Sequence, residues 1–554
     1  MNDFLAKARV LFHRSDPGSY RVTTALFLRA LGVIYYSAFF SLWVQVRGLI
    51  GANGILPVDD LMREAGAHLS GFARWHLLPT LCWISSSDPW LLWQCGLGTL
   101  LSLALIIGIL PRVCCILLWI LWLSLTMVGR DFLGFQWENL LLESGFLAIF
   151  LAPIAWTVDG KEPSRAVIWL FRWLFFRLMF LSGMVKLLSA DPSWRNFTAL
   201  FYHYETQPLP TVFGWYAYQL PTWFLVLQTG VMYLVELVFP FLIFAGRRAR
   251  IVASIGFAAL QISIAMTGNY CYFNFLSLAL GLFLLDDVTL RSLLPTRWRT
   301  RVEAAAKNNA QIAEVAVAQD VADERTTFPV LTPHPDPLPS KARGDFYGLV
   351  TRLRQIGFGA VAAVILIVSL AETTTSLEVP GEWIGAIGPL YSFVAPFRSI
   401  NIYGLFAVMT KERPEVIIEG SNDGTEWKPY EFKYKPGDLG RRPRFVAPHQ
   451  PRLDWQMWFA ALSSYQQNTW FINFCVRLLE GKGDVLALLG KNPFPDKPPK
   501  FIRALTYNYE FTNRETLRKT GEWWRRTYKG IYMRPVSLNP SENAGATPPP
   551  RLPE

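Results

Sequence analysis

At 554 residues the chain is long enough for about two to four soluble domains, but its composition argues against that reading. Only 17% of residues are Asp, Glu, Lys or Arg, against about 25% in ordinary globular proteins, and 52% are hydrophobic, with 22 Trp, 20 Tyr and 39 Phe. Intrinsic disorder, collagen and coiled coil are excluded as whole-chain descriptions. The net charge of +11 fits basic loops on the cytoplasmic side of a membrane better than a nucleic-acid surface, so a lipid bilayer is expected as a partner and nucleic acid is not.

Residues 1–21 are polar and basic, carrying Lys7, Arg9, Arg14 and Arg21. The apolar run 22–46 that follows is too long for a signal-peptide core and lacks a cleavage site, which predicts a retained first transmembrane helix. Further spans are predicted near 90–110, 113–128, 132–155, 166–188, 222–245, 251–266, 271–286 and 355–372, nine in all. With the N-terminus inside, the short inner segments up to residue 250 hold ten Lys and Arg, against five in the longer outer segments. The positive-inside rule then places the N-tail in the cytoplasm, and an odd number of spans places everything after about residue 371 outside it.

The expected organisation is a polytopic α-helical bundle followed by a soluble α+β or β-sandwich-like domain. It runs as a basic N-tail (1–21), an eight-span domain (22–290), an Ala/Pro-rich linker (291–345), a final span (346–372), an extracytoplasmic domain (373–535) and a frayed tail (536–554). The linker includes FPVLTPHPDPLP at 328–339, which cannot bury a core. In the tail domain, 416–427 reads as a strand and a tight turn at Asp423–Gly424, and 430–435 alternates like a half-buried strand. Residues 454–462 and 470–479 read as helices, and 504–511 alternates again.

Soluble-enzyme signatures are scarce: the chain has no GxSxG, HExxH, phosphate-loop or dinucleotide motif. The six cysteines form no CxxC and read as buried small hydrophobes, and six histidines leave few ligands for a metal. No catalytic residue, metal or cofactor is assigned. His449 and Asp454 are close enough in sequence for a hydrolytic pair, but no nucleophile is placed beside them, and a hydrogen-bonded corner is the simpler account. The charges inside apolar runs say more: Glu138, Glu143, Arg172, Arg177, Lys186 and Glu236. Charges at membrane depth are costly, so they pair or line a polar cavity. In the hairpin centred near Gly160, equal rise puts Glu143 level with Arg177, and Glu138 near Ser182 to Lys186. Internal pairing and a functional polar pocket both remain open. The outer loop 189–210 gathers Trp194, Tyr202, His203, Tyr204, Glu205 and Gln207. Interfacial anchoring explains its aromatics; a recognition surface explains the polar residues beside them.

Several long stretches resemble the lipase maturation factor family: GFQWENLLLESGF at 134–146, RLMFLSGMVK at 177–186 and YHYETQPLP at 202–210. The tail agrees through NIYGLFAVMT at 401–410, IEGS at 418–421, APHQPRLDWQMW at 447–458 and NPFP at 492–495. The resemblance spans most of residues 20–535, with the linker as its chief departure, and the flavour of that linker suggests a bacterial inner-membrane member. It implies a multi-pass membrane protein, chaperone-like, that assists folding and assembly of secreted lipases; animal relatives sit in the endoplasmic reticulum. The family supplies no catalytic residues. On this reading the client contacts are Trp194, Tyr202, His203, Tyr204, Glu205 and Gln207 with His449, Arg452, Asp454 and Trp455. A weaker resemblance of the first spans to vitamin K-dependent carboxylases leaves an integral membrane enzyme as the rival, with a lipid or small-molecule transporter third.

Overall fold

The computed structural model describes residues 18–157, 162–293, 340–379 and 385–539. The expected N-tail up to residue 17, the Pro-rich stretch of the linker and the last residues of the C-terminal tail lie outside these.

Nine helical segments alternate in direction: α1 (Arg21–Trp43), α2 (Asp88–Ile107), α3 (Pro111–Val128), α4 (Gln136–Leu151), α5 (Arg165–Leu188), α6 (Thr222–Tyr233, continuing through a π turn at Leu234–Val238 to Leu242), α7 (Arg247–Thr267), α8 (Phe273–Gly281, extended to Leu284) and α9 (Ser340–Ser376). Seven are long and apolar enough to cross a membrane; α4, at 16 residues and bearing two carboxylates, and α8 are shorter. Both shorter helices still run the height of the bundle. The Leu110 N–H and the Arg112 side chain bond to carbonyls at Trp156 and Ala152, so the end of α4 returns beside the start of α3. The Thr23 hydroxyl donates to the Leu285 carbonyl, which brings the end of α8 to the start of α1. Helix α9 begins at Ser340, six residues before the expected linker boundary.

Small residues set the α1–α2 spacing: a Cβ on Gly98 would sit 2.4 Å from the Phe39 ring and one on Gly32 2.9 Å from Ile106. The hairpin between α2 and α3 turns at Gly108, whose φ of 93° suits a residue without a Cβ, and Pro111 opens α3 where its missing N–H costs nothing. Helix α1 has no side-chain cap of its own. Asp287, far along the chain, accepts from the backbone N–H of Arg21 (2.9 Å) and Thr23 (3.1 Å) instead.

Beyond α9 an antiparallel sheet forms in the order β2–β1–β3–β4, from β1 (Pro414–Ser421), β2 (Lys428–Pro429), β3 (Phe501–Phe511) and β4 (Trp524–Val536). The turn after β1 is held by Ser421 and Asp423, which accept from the N–H groups of Gly424, Thr425 and Glu426. Residues 430–435 alternate in sequence but form no strand: the Tyr430 N–H donates to the Ile418 carbonyl of β1, and Glu431 makes an isolated bridge to Lys491. Helices α10 (Arg452–Ala461) and α11 (Thr469–Leu479) complete the domain, α10 packing on β1. Strand β4 shows no clear apolar alternation in the sequence, because it is mostly exposed or half-buried and carries Arg525, Arg526, Lys529 and Arg534. The two parts share one core: a single buried cluster runs from Phe27 in α1 through Trp455 in α10 to Ile418 in β1. Where they meet the backbones nearly touch, and a Cβ on Gly48 would lie 2.4 Å from the Asp484 carbonyl.

Candidate functional site: the charged seam between bundle and tail domain

Two of the buried charged pairs lie where the bundle meets the tail domain. Glu143 in α4 pairs with Arg177 in α5, both side chains 1% exposed. The tail segment completes the pair: the Asn401 N–H (3.0 Å) and the Tyr403 hydroxyl (2.6 Å) donate to the second Glu143 oxygen, and Arg177 donates to the Asn401 carbonyl at 2.9 Å. Depth matching along the hairpin therefore locates the ion pair but not its lid.

For Glu138 the same matching does not supply the partner. Its partner is Arg452 of α10 at 2.7 Å, not the Ser182–Lys186 level, and both side chains are fully buried. Tyr272, just before α8, donates to the same carboxylate, and Arg452 also donates to the Phe132 carbonyl (2.7 Å). The rule compared neighbouring helices only, whereas this partner comes from 314 residues away. Lys186 instead pairs with Glu236 at 2.7 Å, donates to the Ser182 carbonyl and lies over the Trp194 ring. The π turn in α6 brings Glu236 there by adding a residue to that helical turn. Arg172 is at the opposite end of the bundle, donating to the Phe283 carbonyl and the Tyr20 hydroxyl.

The outer loop is gripped by the tail domain. Arg413, which the sequence reading missed, donates to the carbonyls of Glu205 (2.7 Å), Gln207 and Pro208 (2.8 Å), and pairs with Glu415. Trp458 donates to the Thr206 carbonyl and Trp194 to that of Phe406. Phe511 N–H donates to Glu205, and Gln207 accepts from Tyr270. Of the ten residues expected to meet a client, Trp194, Tyr204, Glu205, Gln207, Arg452, Asp454 and Trp455 are buried, and Tyr202, His203 and His449 are half-buried. An aromatic- and Arg-rich loop can cover either a partner or its own chain; here the covering is internal.

His449 and Asp454 join different networks. His449 Nδ1 is 3.0 Å from the Ser41 hydroxyl, which also exchanges hydrogen bonds with the Gln450 backbone. Asp454 accepts from the Tyr434 and Lys435 N–H groups, both at 2.8 Å. Burial, then the Arg452 and Lys433 charges, bring His449 down to about 4. Ser41 is itself buried beneath the tail domain, so this contact fastens the domain and offers no open nucleophile. All six cysteines are buried and unpaired, and no metal-holding group of His, Cys, Asp or Glu exists among the described residues.

The geometry defines a class: a polytopic helical membrane protein whose α+β tail domain is fixed to one end of the bundle by buried, hydrogen-bonded charges. Residues 22–292 match the family model of the lipase maturation factor transmembrane domain, and residues 399–534 that of the lipase maturation factor C-terminal domain. The chain is 37% identical to human lipase maturation factor 2 over 94% of its own length and 83% of the relative's, and 36% identical to the chicken (Gallus gallus) protein over 93% and 81%. It is 33% identical to mouse lipase maturation factor 1, over 95% of this chain and 89% of that one. The chain belongs to the lipase maturation factor family. No solved structure matches it.

Proposed function

We propose that the chain is a chaperone-like maturation factor of a bacterial inner membrane that assists folding or assembly of exported clients, lipases first among them. The observation that carries this reading is the continuity of the similarity: the matched ranges take in the bundle up to residue 292, the outer loop and the tail domain. The buried charges favour a scaffold over an enzyme, because each carboxylate of the seam is already matched by an Arg and by hydroxyl or N–H donors. On this reading the ten loop and corner residues shape the client surface from beneath. Exposed rings beside them, the Phe213–Phe445 pair and, separately, Tyr216, make the contact. The tail domain faces away from the cytoplasm, as the distribution of basic residues favours.

The test is crosslinking in native membranes with mass identification of partners, alongside secreted lipase activity in the Phe213→Ala, Tyr216→Ala, Phe445→Ala triple variant. A captured exported protein and a fall in active client at unchanged factor abundance are expected. No exported partner, together with unaltered client activity, would remove the maturation reading. For orientation, a cysteine at Asn422 should react with a membrane-impermeant thiol reagent in intact spheroplasts; labelling only after lysis would reverse the assignment.

A further inference from the structure

Beside the Lys186–Glu236 pair, a cavity of about 530 Å³ opens between α5, α6, α7 and the short helix Leu200–Thr206. That volume is in the range of small-molecule sites, about 300–1,000 Å³. Glu143 and Arg177 do not line it. Its walls are aliphatic and aromatic for most of their extent, with Leu178 and Met179 from α5, Phe239 from α6 and Phe273 from α8.

Its mouth determines what can reach it. Leu227, Val231 and Leu234 of α6 line the cavity and are about half exposed, and Ala259 and Ser263 of α7 line it and are exposed too. Both helices are long and apolar enough to cross the membrane, so the opening between them faces acyl chains rather than water. Helix α7 packs on the second half of α6, at 234–242, and its small residues leave the gap on the side of the first half.

The polar groups determine what can stay. His203 lines the cavity with its Nδ1 fully enclosed and without a hydrogen-bond partner. A buried polar atom left unsatisfied is costly, and a ring that lines a cavity can turn to take a ligand's hydroxyl. Gln228 accepts from the Tyr204 hydroxyl at 3.2 Å through its side-chain oxygen, which leaves its amide NH₂ to donate. The one cation, Lys186, is already neutralised by Glu236, and His203 is held near 4 by burial and the Lys186 charge, so the site offers no net charge to an anionic headgroup.

We propose that this cavity binds one uncharged acyl lipid of the acylglycerol class, admitted from the bilayer between α6 and α7, with its chain along the apolar walls and its hydroxyl or ester end against His203 and Gln228.

The full-length protein in lipid nanodiscs is irradiated with a monoacylglycerol carrying a diazirine in its chain, and the labelled peptides are identified. Labelling should concentrate on residues 222–242 and 247–267 and be competed by unlabelled monoacylglycerol. Ala259→Trp and Ser263→Trp, both at exposed positions of the mouth, should reduce it to background. His203→Phe and Gln228→Leu should each weaken competition by about tenfold, the effect of one lost hydrogen bond in an apolar site. Melting temperature and elution volume report whether each variant is folded, and the two exposed tryptophan positions keep the test available should His203→Phe misfold. Labelling that survives both tryptophan variants, or spreads evenly to outward residues such as Leu100 and Val113, would overturn the proposal. Equal competition by anionic phosphatidylglycerol would overturn the headgroup class, and displacement only by a client polypeptide would replace the lipid with a protein segment.

Discussion

The seam between bundle and tail domain and the outer edge of the sheet use the same ionic residues under opposite conditions. At the seam, Glu138–Arg452 and Glu143–Arg177 are fully enclosed and join segments hundreds of residues apart or hold the tail segment over the bundle. Along β4 and the short helix Arg514–Thr520 before it, Lys519–Glu515 is exposed on both sides and Arg525 reaches from solvent to a half-buried Glu510. Removing one partner at the seam strands a charge in a low-dielectric interior; removing one at the edge returns the other to water. Enclosed pairs fix how the two parts dock, whereas the exposed charges of β4 keep an edge strand from pairing with another chain.

The largest effect is expected at the seam. Arg452→Met or Glu138→Gln alone should cost on the order of 3–5 kcal/mol in detergent-solubilised stability, and the double change less than the sum of the two. The same cycle at Glu143→Gln and Arg177→Met should give the same sign. Strictly additive losses would mean that the partners are not energetically coupled and would dissolve the contrast with the edge.

Next comes a titration at the loop. Burial raises the Glu205 carboxyl from its usual 4.5 to about 7, even though Phe511 N–H donates to it. The folded state therefore holds this proton where the unfolded chain has lost it, so the Glu205 contribution falls as pH rises from about 4.5 through 7. His203 and His449, both brought down to about 4, act oppositely: their contributions fall as pH drops through the usual 6.5. The difference between wild type and Glu205→Gln in chemical-denaturation stability isolates the carboxyl, and should shrink towards pH 4. A difference independent of pH across that window would place Glu205 in solvent.

A smaller loss, about 1 kcal/mol, is expected for Asp287→Ala, which uncaps α1 at the far end of the bundle. Least of all, Lys519→Ala and Arg525→Ala should shift stability by about 0–1 kcal/mol, and less still in high salt. A seam-sized loss at either surface position would show that exposure is not what separates the two regions.

Hydropathy marks the helices of the bundle because long apolar runs are a local signal, although of the nine expected spans seven are long and apolar enough to cross a membrane. Within one hairpin, helical rise was enough to set Glu143 against Arg177. It could not find Arg452 for Glu138, Glu236 for Lys186 or the Arg413 grip on the loop, since these depend on docking, on a π turn and on a domain hundreds of residues later. Composition likewise recognised the loop 194–210 as rich in contact-making residues without saying what they contact.

That this is a membrane bundle with an α+β tail, and which family it resembles, was legible from the amino acids alone, because hydrophobic run length, alternation and extended motifs are written residue by residue. Only the tertiary structure decided which charges meet, that Tyr204 and Trp455 face inward, and that a cavity opens between α6 and α7. The reason is physical: burial and electrostatic pairing belong to the packed arrangement of distant segments, and the same side chain is a surface anchor or a core strut according to what folds over it.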